Sequence, residues 1–365
     1  MNKQKERLEW IDMAKGIGIY FVCIGHIEYL HDPLRIWISS YHMPLFFIIS
    51  GILMAVKGEP EKDFKDCVYK KFRGILIPYF WFSLIYFLID ILNVAVFGYI
   101  DMHTFIVDQI SSLTFYGFSV LWFLPAIFLA DVFFLFLKKK LPDRVIYFLL
   151  IGAALAAYLV TGLVKDIYAA HEVSLLITSV CNFIFVFLRA IIAASLVGYG
   201  YYIHRLAKAK LPALFNITNF KTRVIVFLSG ACLLIVNVIL SQINGSIDMH
   251  NIILKNVPLF YIGAFLGTYA IILICMAAPV FKIITYFGRN SLIVMAAHVN
   301  FYILYAALTI ALNALNYIKH AKYYMLILIS SVVIFLLCAI VIEIINRFLP
   351  FIMGKKKQPG FRKIQ

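Results

Sequence analysis

Three ionisable side chains, Asp12, Lys15 and His26, lie within the first strongly apolar stretch of this 365-residue chain, residues 11–30. A charge in hydrocarbon is costly unless it faces a protein interior or water, so such groups mark a functional site by default. Lys15 and His26 are eleven positions apart. That is close to three whole helical turns, which puts both on one face, about 16 Å apart along the axis. Transfer of a group to a hydroxyl needs a base that takes the proton as the oxygen attacks, and histidine titrates in the right range at neutral pH. His26 is the candidate base, the plainer alternative being a neutral histidine bonded to a neighbouring helix. Asp12 precedes Lys15 by three residues, the spacing of a helix-surface ion pair; it either supports Lys15 or orders the face that carries His26. No carboxylate is marked by spacing as the partner of His26, although Glu28, Asp90, Asp131 and Glu343 all lie in or near apolar stretches.

Other residues carry weaker signals. Lys62, Lys65, Lys70, Lys71 and Arg73 gather before the third apolar stretch, a cluster suited to phosphate groups or to anionic lipid, with salt-sensitive contacts where exposed. His42 opens the second stretch, where it either lines an acceptor entrance or caps the interface. Arg189 falls in the middle of the sixth, where an unpaired guanidinium is implausible; a buried structural pair and a contact to a substrate phosphate both satisfy it. Asn290, Ser291 and His298 belong to the ninth, where small and polar residues also serve helix packing.

The elements that position these groups follow from composition. Hydrophobic residues make up 63% of the chain and charged residues 14%, which excludes an ordinary soluble domain. Ten windows approach the roughly 20 residues needed to cross a bilayer: 11–30, 38–56, 74–97, 118–137, 145–164, 176–203, 224–243, 256–278, 290–312 and 323–349. Short alternating segments of the barrel type are absent, which leaves helices as the spanning element. The expected fold is an all-α polytopic bundle of about ten helices, a single domain over 1–354 followed by a basic tail, 355–365, suited to anionic lipid.

The net charge of +15 does not point to nucleic acid, because its distribution follows the membrane. With the N-terminus cytoplasmic, 27 of the 33 lysines and arginines fall in inner segments, as the positive-inside rule requires, and both termini are then cytoplasmic. The six cysteines are scattered without a C-x-x-C, so neither a disulfide framework nor a metal site is expected. The first stretch lacks a clear small-residue cleavage site and reads as a retained helix.

Several blocks resemble the membrane-bound acyltransferase 3 family. They are Arg7 to Ile27 (RLEWIDMAKGIGIYFVCIGHI), His42 to Gly51 (HMPLFFIISG), Lys70-Lys71-Phe72-Arg73 with Ile77-Pro78-Tyr79, Leu121-Trp122-Phe123-Leu124, and Gly288-Arg289-Asn290-Ser291-Leu292 with His298 beyond. Five blocks in order span nearly the whole chain, and the flavour is similar to fucose 4-O-acetylases and exopolysaccharide O-acetyltransferases. The resemblance implies an integral enzyme of the cytoplasmic membrane that moves an acyl group, usually acetyl from cytosolic acetyl-CoA, to a hydroxyl of a surface glycan or its lipid-linked precursor. It implies active-site roles for Lys15 and His26, with members often carrying arginine where Lys15 stands. Lys70 and Arg73 keep the spacing of a basic pair common in the family, and with Lys71 they are expected at the CoA phosphates. His42, Trp122, Arg189, Asn290 and His298 are expected around the substrate. The acyl group either passes directly to the acceptor or rests on His26 as a covalent relay. A transporter or flippase for a glycan precursor, and a membrane sensor or ligand-binding module, are the rival classes.

Overall fold

A computed structural model describes residues 8–27, 32–170, 174–315 and 322–355. Among them every regular element is helical, apart from one isolated bridge between Asp248 and Ile253. Glu28, a candidate partner for His26, lies outside the described residues, as does the tail beyond Lys355.

The chain opens with α1 (Glu9–Gly25), α2 (Asp32–Ser39) and α3 (His42–Lys57). Next come α4 (Phe64–Lys71), a π-helical turn (Phe72–Leu76) and α5 (Ile77–Leu92) without interruption. A short helix α6 (Met102–Leu113) precedes α7 (Phe123–Lys140), α8 (Asp143–Ala170), α9 (Leu175–Lys210), α10 (Phe220–Asn244) and α11 (Val257–Ala277). The broken run α12 (Lys282–Arg289), α13 (Ser291–Ala297) and α14 (Ile303–Leu315) leads into α15 (Lys322–Phe348). Side-chain caps fix several starts: Asp63, Asp101, Ser174, Asn219 and Asn256 each accept from a backbone N–H in the first turn that follows, satisfying donors that a helix cannot pair internally.

Eight continuous helical runs among the described residues are long and apolar enough to cross a membrane. The protein is an all-α polytopic membrane protein. Two of the ten sequence windows depart from a full-length helix. The first ends at Gly25, leaving α1 with 17 residues, and the ninth, which starts at the break between α12 and α13, is split after Ala297. The segment 98–117, expected to be a plain loop, contains α6, because Asp101 caps it.

Burial sorts the spans into two classes. The apolar windows that contain α3, α7 and α9 are 72% buried, whereas that of α10 is 22% buried. The first group builds the interior, and α5, α8, α10 and α15 turn most of their surface outward, where lipid would cover it. Close approach replaces hydrophobic drive between the inner helices. Where α3 crosses α9, a Cβ on Gly51 would overlap the Val197 carbonyl and one on Gly200 the Ile48 carbonyl. Gly16 and Gly288 do the same for α1 and α12. Polar glue ties the remainder: Asn237 Oδ1 accepts from Trp37 Nε1 at 3.0 Å, and its Nδ2 donates to the Gly263 carbonyl at 2.9 Å.

Candidate active site

Lys15, Ile19, Val22 and His26 recur at intervals of four, three and four, the spacing of one helical face. That face of α1 lines two cavities. Lys15, Ile19 and Val22 border a cavity of about 430 Å³, together with Met43, Arg289 and Asn290. Val22 and Met43 also border a second, of about 420 Å³, which contains His26. A third, of about 410 Å³, shares Ser50, Leu53, Gly74 and Ile75 with the first and carries Lys57, Lys62 and Lys70. The first cavity therefore shares a wall with each of the other two.

The Lys15 cavity has a basic mouth. Lys15 Nζ lies 3.4 Å from Asp12, as the spacing predicts, and Asp12 also accepts from Arg289 Nε at 3.2 Å. Asp12 is only 4% exposed and holds both cations, while Arg289 also lies 3.8 Å from Glu9. Lys355 stands on the same wall, its Nζ 3.2 Å from Asn346 Oδ1. Asn290 also lines this cavity because the chain breaks there; its Nδ2 donates to the Tyr286 carbonyl and its Oδ1 accepts from Asn346. Arg289 escaped the sequence reading as a site residue. Its signal was a basic residue at the head of the ninth-window block, but nothing in its spacing shows that α12 packs on α1.

The basic cluster before α5 divides. Lys70 and Lys71 both border the third cavity, with Glu59 and Asp131 on the same wall. The Lys71 ammonium is already paired, with Glu59 Oε2 and Asp131 Oδ2 each 2.9 Å from its Nζ and Ser50 donating to both Asp131 oxygens. Arg73 donates to the Gly354 carbonyl at 2.6 Å and lies over the Tyr69 ring. Lys71 and Arg73 thus hold α4 and the π-helical turn against α3, α7 and the end of the chain. The wider π turn leaves Gly74 and Ile75 on the walls of two cavities, a common use of such turns.

The His26 cavity is polar. His26 caps the end of α1 and shares the space with Arg35, Ser39, His42, Trp122 and Asp248. His42 is oriented by its Nδ1, 2.8 Å from the Ile38 carbonyl. The loop 245–256 forms the far wall. Asp248 exchanges backbone hydrogen bonds with Ile253 and accepts from Asn251 through both carboxylate oxygens. Arg189 fastens this loop from behind: it donates to the Tyr116 carbonyl at 3.0 Å and the His250 carbonyl at 2.7 Å, with its guanidinium over the Tyr116 and Trp122 rings. Being 1% exposed, Arg189 shapes the cavity without lining it. The His250 ring stacks on Trp122 with centroids 5.5 Å apart. Burial, then the nearby Arg189 charge, pushes its imidazole well below the ordinary histidine range, to about 3, so it stays neutral at physiological pH.

None of the described carboxylates singled out from the sequence borders the His26 cavity. Asp131 serves Lys71, Asp90 accepts from Gln109 at 3.3 Å, and Glu343 binds Tyr286 and Arg347. Among the described residues, Asp248 is the carboxylate in the His26 cavity; it lies in a loop far along the chain, where no periodicity links it to α1. His298 is fully buried, its ring centroid 5.1 Å from that of His26.

The model of an acyltransferase domain matches residues 8–344. The chain belongs to the acyltransferase 3 family. No curated protein and no solved structure matches. As a membrane acyltransferase, the chain has to bring a donor and an acceptor to a common point, and the wall shared through Val22 and Met43 is a place where two cavities meet.

Proposed function

We propose that this protein is an O-acetyltransferase of the cytoplasmic membrane, moving acetyl from acetyl-CoA to a hydroxyl of a surface glycan or its lipid-linked precursor. The observation that carries the reading is the single α1 stripe, Lys15–Ile19–Val22–His26, which joins a basic cavity to a polar one. The phosphates of CoA suit the basic side, where Lys15, Arg289, Lys355, Lys57, Lys62 and Lys70 supply charge; with Lys71 and Arg73 engaged by the protein, Lys70 keeps the phosphate role. The apolar surface between, Ile19 and Val22, suits the pantetheine arm. The His26 cavity, with Ser39, His42 and Asp248, suits a molecule rich in hydroxyls.

His26 removes the acceptor hydroxyl proton as that oxygen attacks the thioester carbonyl. The tetrahedral intermediate collapses, the C–S bond breaks, and the CoA thiolate takes the proton back from the imidazolium, so charge and atoms balance. Two cavities with room for both substrates favour direct transfer over a relay. The test is acetyl-CoA with purified protein and a glycan acceptor, paired with mass spectrometry of cell glycans. His26→Ala is expected to lower transfer by about a hundredfold or more. Intact glycan acetylation in cells carrying only His26→Ala sinks the reading, and an acetyl group trapped on His26 without acceptor replaces direct transfer by the relay.

A further inference from the structure

His298 has so far been given no part in the chemistry. It follows the last turn of α13, and its Nδ1 lies 3.0 Å from the Val294 carbonyl and 2.8 Å from the Met295 carbonyl. Carbonyl oxygens only accept, so Nδ1 carries the proton, and in the neutral ring the lone pair is on Nε2. That Nε2 is buried with no hydrogen-bond partner among the described residues. An orphaned acceptor in a membrane interior is a cost that calls for an explanation. The ring beside it is His26, centroids 5.1 Å apart and planes inclined at 59°, and His26 in turn faces the open cavity.

We infer that His298 is the positioning partner of His26, its Nε2 receiving an N–H of the His26 ring after a small rotation of that ring. The inference rests on the proposed reading of His26 as the base. One bond of this kind fixes which nitrogen of His26 keeps its proton and leaves the other as a free lone pair toward the acceptor hydroxyl. When His26 becomes imidazolium, the same bond holds the second N–H. This is the orienting duty that a carboxylate performs for histidine in hydrolase triads, here carried by a neutral ring whose own tautomer is locked by two carbonyls. Among the described residues, the other titratable or charged groups on the His26 cavity are Arg35 of α2, His42 of α3, and Asp248 and His250 of the 245–256 loop.

Asparagine and glutamine substitutions separate the two nitrogens of His298. In His298→Asn the new amide NH₂ falls near the Nδ1 position and keeps the carbonyl contacts, while in His298→Gln an amide oxygen falls near the Nε2 position. In full-length protein in detergent, carbethoxylation of His26 by diethyl pyrocarbonate is followed by mass spectrometry across a range of pH. This readout needs no acceptor. His298→Asn is expected to lower the limiting His26 rate by about fivefold and the midpoint of the profile by about half a unit, because the imidazolium loses its acceptor. His298→Gln is expected to recover at least half of both. A wild-type profile in His298→Asn overturns the assignment, as does an equal loss in both variants with a lowered unfolding temperature, which marks packing alone. If His298→Asn does not fold, His298→Gln decides, and a His26 rate below about a fifth of wild type overturns the proposal. Activity retained in His26→Ala removes the role of His26 as the base. An inactive His26→Ala with unaltered His26 chemistry in His298→Asn removes this inference alone.

Discussion

Lys70 and Lys71 are adjacent in the chain and opposite in duty. Lys71 is held between Glu59 and Asp131, so removing it strands two carboxylates in a buried place. Lys71→Met is expected to cost about 3 kcal/mol of stability, read as a fall in the thermal midpoint, with part regained in Lys71→Met/Asp131→Asn. Lys70, exposed on the third cavity, should behave otherwise. Lys70→Ala should leave stability within about 0.5 kcal/mol and raise the KM for acyl-CoA, an effect that shrinks as salt screens the site. Equal loss of stability in the two variants would contradict this division. The sequence shows both residues only as members of a basic cluster. What distinguishes them is Asp131, 60 positions away, and no local spacing reaches that far. The pairing of Asp12 with Lys15 was legible because it lies within one helical turn.

At the scale of elements, the contact that sets the interior is the crossing of α3 and α9. Backbones touch there through Gly51 and Gly200, and α3 also carries Met43, Phe46 and Ser50 to the cavity walls. Gly51→Ala or Gly200→Ala drives a methyl into a carbonyl of the facing helix, so either should sharply lower the yield of monodisperse protein on size exclusion and its thermal midpoint, by about 2 kcal/mol or more. Gly152→Ala, on an exposed face of α8 with no atom near its would-be Cβ, is expected to be neutral or to stabilise by up to about 1 kcal/mol through helix propensity. Tolerance of alanine at Gly51 would show that the helices can separate without harm. Spans of this kind are readable because hydropathy averages over many residues. The break at Asn290 is not, since its Oδ1 is held by Asn346, a contact that arises only once α15 is packed beside it. For α6 the deciding signal is local, the Asp101 cap on Thr104, and averaging hydropathy over many residues passes over it.

For the whole molecule, the excess of lysine and arginine in alternate loops supports placing the Lys15 end of the bundle in the cytoplasm, where acyl-CoA is made. On the proposed function, a donor bound there and a glycan presented at the other end meet only if the acyl group crosses the wall between the Lys15 and His26 cavities. Val22 and Met43 belong to both, so the crossing runs between them. Met43 is the side chain to enlarge, because it faces open volume on each side. Met43→Trp should block passage of the thioester, lowering transfer by about a hundredfold through misplacement of the reacting carbon. With the CoA phosphates at the far end, as proposed, the affinity for CoA itself should stay within about twofold of wild type, as titration calorimetry would read it. Met43→Ala, which widens the same gap, is expected to raise transfer of butyryl relative to acetyl. Full transfer activity in Met43→Trp would place the acyl route elsewhere in the bundle. Loss of CoA binding in that variant would instead make Met43 part of the donor seat, moving the meeting point of donor and acceptor closer to His26.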